Sequence, residues 1–161
     1  METLQTMKIS PSNARKMYKE IPEMRPSLED TFGKEFFSEK ITDRIKTYED
    51  ACSELGEKPM DEKALKENGF TDVEIIRRKI ETITRAYNEG WEADFCNSDQ
   101  KKWRVWIKGL SSGGFVFYDT TCYGYSSAGA GNGSRLWFKS EECAKDAWDK
   151  FSDYYIILTK N

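Results

Sequence analysis

A chain of 161 residues with 25 basic and 28 acidic side chains, net charge −3, is long enough for one domain with a real core. That balance excludes wholesale electrostatic attraction to nucleic acid or to an anionic membrane. Histidine is absent, which removes Ser-His and Cys-His nucleophilic pairs, HExxH and Cys₂His₂ zinc sites and the usual general base near neutral pH.

Mean hydropathy is low, at −0.76. The five Trp, eight Tyr and nine Phe are nevertheless too many for a disordered chain. Along the chain, Ser10 before Pro11 reads as an N-cap with proline at the first helical position, and Pro22 stops that run. Pro26 and Ser27 open a short segment with Leu28 and Phe32 four apart, closed by Gly33, and Phe36 and Phe37 anchor the next connection. Ile41, Ile45, Tyr48, Cys52 and Leu55 recur at helical steps and predict one amphipathic helix ending at Gly56. Asp61 to Asn68 reads as a short helix before Gly69. Thr71 with Glu74 is a capping-box signature for a helix whose stripe is Val73, Ile76, Ile80, Ile83 and Tyr87, ending at Gly90. The basic triplet Arg77, Arg78 and Lys79 inside it reads as a solvated face.

After Gly90 the period changes from helical to alternating. Trp103, Val105 and Ile107 alternate with Arg104, Trp106 and Lys108, and Ser111 to Gly114 turn the chain into Phe115 to Tyr118. Thr121 to Tyr125 reads as a third strand and Arg135 to Lys139 as a fourth. Ser140 then caps a last helix that buries Ala144, Ala147, Trp148, Phe151, Tyr154, Tyr155 and Leu158. The fold class is therefore α+β: a helical part, residues 8–90, packed with a four-stranded antiparallel sheet and a C-terminal helix, residues 91–161, on one shared core.

No catalytic constellation is recognisable. Asp94, Asp99 and Asp119 are the first carboxylates to test, though no spacing pairs them. Cys52, Cys96, Cys122 and Cys143 contain no CxxC and suggest free thiols rather than a metal or disulfide framework. Neither a metal nor a cofactor is expected. The glycines at 129, 131 and 133 beside Asn132 do not satisfy GxGxxG, and they read as a flexible strand-joining loop or a flap over a ligand. Alternation places Arg104, Trp106, Lys108 and Tyr118, with Arg135, Trp137 and Lys139, on one face of the sheet. Cations flanking rings suit an anionic planar ligand or a stacked base; the alternative is that these rings pack against the N-terminal helices.

Three stretches, DRIKTYEDACSELG (Asp43 to Gly56), NEGW (Asn88 to Trp91) and GSRLWFKS (Gly133 to Ser140), resemble small proteins encoded by phages and prophages of gut Bacteroidetes. The resemblance runs in the same order over nearly the whole chain. Trp137 stands where that family often carries a cysteine, which puts a thiol role there in doubt. The family has no known function, so the resemblance implies a small protein of the bacterial host cytoplasm and no active site. The expectation is a non-catalytic binding module acting on a host protein or a small anionic ligand. Its alternatives are a nucleotide-sequestering anti-defence protein, a virion or assembly interaction protein and a single-stranded nucleic-acid binder. The acidic balance disfavours the last, and no membrane association is expected.

Overall fold

The computed structural model describes residues 9–109, 115–123 and 134–159, with residues 115–123 described at the backbone. The glycine-loop residues Gly129, Gly131, Asn132 and Gly133 lie outside the described residues.

Helices dominate. Helix α1 (Pro11–Glu20) starts where Ser10 Oγ accepts from the Asn13 N–H at 3.2 Å. A 3₁₀ turn (Pro22–Met24) leads into α2 (Arg25–Phe32), Gly33 turns the chain at φ +82°, and α3 (Lys34–Ser38) follows. Tyr18, Phe32, Phe36 and Phe37 pack as an aromatic group between these elements, with Tyr18 and Phe37 stacked at 4.1 Å.

The predicted helix from Ile41 to Leu55 is two helices, α4 (Ile41–Arg44) and α5 (Tyr48–Leu55). Ile45 between them is extended, and Thr47 begins a new helix by a capping box with Asp50. Apolar spacing survives the break because Ile41, Ile45, Tyr48 and Cys52 all reach the same core. The ammonium of Lys150 holds this junction by donating to the carbonyls of Thr42 and Ile45. Helix α6 (Glu62–Glu67) is capped by Asp61, and α7 (Asp72–Asn88) by the Thr71–Glu74 capping box. Helix α7 is the centre of the molecule, with α5 and α8 (Glu141–Thr159) packed on it. Ile83, Ala86 and Tyr87 of α7 meet Ile45, Ala51 and Cys52 on one side and Ala144, Ala147 and Phe151 on the other. The backbone of α8 breaks from helical geometry at Phe151, and the helix also contacts β1 and β2.

The four-stranded antiparallel sheet expected from the alternation is not present, and the chain is predominantly helical rather than α+β of that kind. Among the described residues the ladder has two strands, β1 (Lys102–Gly109) and β2 (Phe115–Tyr123), paired antiparallel. Phe115 to Tyr118 and the described part of the expected third strand, Thr121 to Tyr123, belong to a single strand, while Gly124 and Tyr125 lie outside the described residues. Its register pairs Ile107 with Phe117 and Trp106 with Asp119, so Tyr118 is the extra residue of a bulge. The expected fourth strand reduces to a 3₁₀ turn (Ser134–Leu136) and one bridge, in which Trp103 and Phe138 exchange backbone hydrogen bonds of 3.1 and 2.7 Å. The outer side of residues 137–139 meets the Asn88 side chain of α7 instead of another strand, which ends the sheet. Among the described residues no helix is long and apolar enough to cross a membrane.

Candidate binding site

The residues expected on one cationic, aromatic face do not stay together. Arg104, Trp106 and Trp137 come together: the Arg104 guanidinium lies 4.2 Å from the Trp106 ring centre and 5.6 Å from that of Trp137. Arg135 is exposed and turns to Glu81 of α7 at 3.6 Å, beside Trp91 rather than Arg104. Lys139 leaves in another direction, paired at 2.5 Å with Glu89. Lys108 is exposed near the end of β1, and the Tyr118 side chain lies outside what is described. The 3₁₀ turn takes residues 134–136 out of the strand alternation, so Arg135 and Lys139 do not join Arg104, and of the three only Trp137 does.

Arg104, Trp106 and Trp137 border a pocket of about 300 Å³ between β1, the 3₁₀ turn and the last turns of α8. Val105, Ile107, Leu136 and Leu158 supply apolar wall, and Tyr155 a ring. Trp137 is buried and its ring meets Phe95 edge-on at 5.9 Å. The indole N–H of Trp106 is buried without an acceptor, a costly state for a donor. Burial pushes the Tyr155 phenol well above its ordinary range, so it is a neutral group at the pocket wall. An apolar pocket with a few polar groups of fixed direction is the usual form of a small-molecule site.

A second polar assembly escaped the sequence reading. Glu54 of α5 receives Arg15 at 2.9 Å and Arg44 at 2.6 Å, and Glu89 receives Arg44 at 2.6 Å and Lys139 at 2.5 Å. Three cations therefore share two carboxylates. Burial acts to raise the Glu89 carboxyl, but Lys139, Lys19 and Arg44 outweigh it and hold the group below its ordinary value. Burial, reinforced by Arg44, lowers the Arg15 guanidinium despite the opposing pull of Glu54. Glu89 also carries a left-handed backbone, φ +47°, where glycine is usual at a helix end. Nothing in local spacing connects Arg15, Arg44, Glu89 and Lys139, which come from four separate segments.

Among the described residues, no group of three His, Cys, Asp or Glu side chains is placed to hold a metal ion. Burial raises the thiols of Cys52 and Cys143, the opposite of what an activated nucleophile needs.

Fold and site together define a predominantly helical domain carrying a two-stranded ribbon and a partly enclosed aromatic pocket. No protein-family model, curated protein or solved structure matches the chain significantly.

Proposed function

We propose that this protein is a non-catalytic binding module that takes a small anionic ligand with an apolar body into the pocket beside β1. The observation that carries the reading is Arg104, its charge held against Trp106 and Trp137 on the wall of an otherwise largely apolar pocket. A guanidinium on an indole face is oriented before any ligand arrives, which lowers the entropy cost of using it. A stacked nucleobase is served less well, because Arg104 already lies over Trp106 and Trp137 is buried. The reading places the module in the bacterial cytoplasm, in the phage or prophage setting that its three motifs resemble.

The test is a thermal-shift and tryptophan-fluorescence screen of aromatic and branched carboxylates, with nucleotides alongside. A hit should lose affinity by about tenfold in Arg104→Ala, the scale of a partly desolvated cation–π contact, and all binding in Leu158→Trp, which fills the pocket. Affinity unchanged in both variants, or no response to any anion, defeats the reading.

A further inference from the structure

A different cleft, of about 440 Å³, opens where α1 and the α3–α4 connection face the start of α8. Six cations line it: Arg15, Lys19, Arg25, Lys40, Arg44 and Lys139. Only Glu39, Glu89 and Glu142 oppose them on its walls. Even with Glu54 counted behind Arg15 and Arg44, cations exceed carboxylates by two, in a chain whose net charge is −3. Such a local surplus in an acidic protein costs self-repulsion unless something negative occupies the space.

We propose that this cleft is a binding site for a compact polyanion carrying two or more phosphoryl groups, of the pyrophosphate kind. Lys19 and Arg25 are exposed and, among the described residues, neither has a carboxylate at ion-pair distance. Arg25 spends its Nε on the Tyr18 carbonyl at 2.9 Å, leaving its charge uncancelled. Arg44 has a side chain only 5% exposed, yet its Nε is buried without a partner while both terminal nitrogens are bonded. The N-terminal end of α8, which runs unbroken only as far as the kink at Phe151, faces the same space through Ser140, Glu142 and Cys143, and the dipole of its first turns favours negative charge there.

The rings in the cleft argue for phosphoryl groups without a base. One face of Tyr18 is stacked on Phe37 at 4.1 Å, and Arg25 lies 5.3 Å from the Tyr18 ring centre. A base would have to displace one of them, whereas a chain of phosphoryl oxygens needs only the cations.

The experiment is titration calorimetry of the full chain with sodium pyrophosphate, with orthophosphate as comparator. Pyrophosphate should bind more tightly than orthophosphate. The double variant Lys19→Ala/Arg25→Ala should weaken pyrophosphate about tenfold, and each single variant about threefold, as expected for partly solvated charge contacts. Both positions are exposed, so the melting temperature should stay near that of the parent. Glu39→Gln, which removes a wall carboxylate, should tighten binding about twofold. Arg104→Ala should leave pyrophosphate affinity unchanged, which separates this site from the pocket beside β1. No heat with pyrophosphate, or equal affinity in the parent and the double variant, overturns the proposal.

Discussion

Asn88 holds Lys139 by its backbone: Asn88 Oδ1 accepts the Lys139 N–H at 2.9 Å while Asn88 Nδ2 donates to the Trp137 carbonyl at 2.7 Å. One amide side chain at the end of α7 thus does for residues 137–139 what a neighbouring strand would do. It also stands between the two clefts, since Trp137 lines one and Lys139 the other. Asn88 is 6% exposed, so water is poorly placed to replace it. Asn88→Leu strands a buried carbonyl and a partly buried N–H and should cost about 2–4 kcal/mol. Asn88→Asp keeps the acceptor for Lys139 but sets a carboxylate oxygen against the Trp137 carbonyl, and it should also destabilise. Urea unfolding followed by far-UV circular dichroism measures both; a loss below about 0.5 kcal/mol in Asn88→Leu contradicts the assignment.

The Glu89 carboxyl titrates below its ordinary value in the folded protein, so its contribution has a definite sign with pH. A depressed folded pKa stabilises fully above the unfolded value, near 4.5, and that stability is lost as pH falls through the folded value. The urea midpoint of the parent should therefore drop below about pH 4.5, and the gap between parent and Glu89→Gln should close over the same range. A gap that stays constant from neutral pH down to about pH 3 would show that the contacts to Arg44 and Lys139 carry no linked charge.

Gly56 ends α5 in a left-handed conformation, φ +69°, and a Cβ there would come within 2.9 Å of Ser10 Cβ at the cap of α1. Gly69 also has positive φ, +87°, but nothing lies within 4 Å of its would-be Cβ. Gly69→Ala should thus cost about 1 kcal/mol from backbone strain alone, and Gly56→Ala about 1–2 kcal/mol more because α1 must shift. The comparison of the two melting temperatures isolates the contact between α1 and α5. Equal losses would remove it.

These particulars show which parts of the molecule could be read from the residue order. The caps at Ser10, Thr71 and Ser140 were legible because capping is chemistry among residues three apart. The Thr47–Asp50 box is equally local, but the apolar spacing running from Ile41 to Leu55 masked it. Alternation from Arg135 to Lys139 imitated a strand, whereas one bridge and the Asn88 amide satisfy that backbone. Of the aromatic site, Arg104 and Trp106 were visible as a pair on β1, while the turn that removes Arg135 was not. The cationic cleft could not be seen at all, because α1, α4 and the α7–α8 junction meet only in three dimensions.

Lys79 tests whether the basic triplet of α7 is surface decoration. Arg77 pairs with Glu81 one turn on, and Arg78 lies over Phe70. Lys79 is instead buried, 7% exposed, with its ammonium 5.0 Å from the Tyr48 ring centre, 5.3 Å from that of Tyr154, and 2.5 Å from Glu62. It fastens α6 onto the α5, α7 and α8 surfaces through one charge. Burial acts to lower its pKa, but Glu62 and Tyr154 more than reverse this, so the ammonium persists and its stabilisation should fade only as pH rises above about 10.5. Lys79→Met retains the packed stem and loses the charge, and a change within about 1 kcal/mol is expected. Lys79→Ala loses the stem as well and should cost about 2–3 kcal/mol. Thermal unfolding of the three proteins decides the point: equal melting temperatures for Lys79→Ala and the parent would mean that the side chain is not held between the two tyrosines.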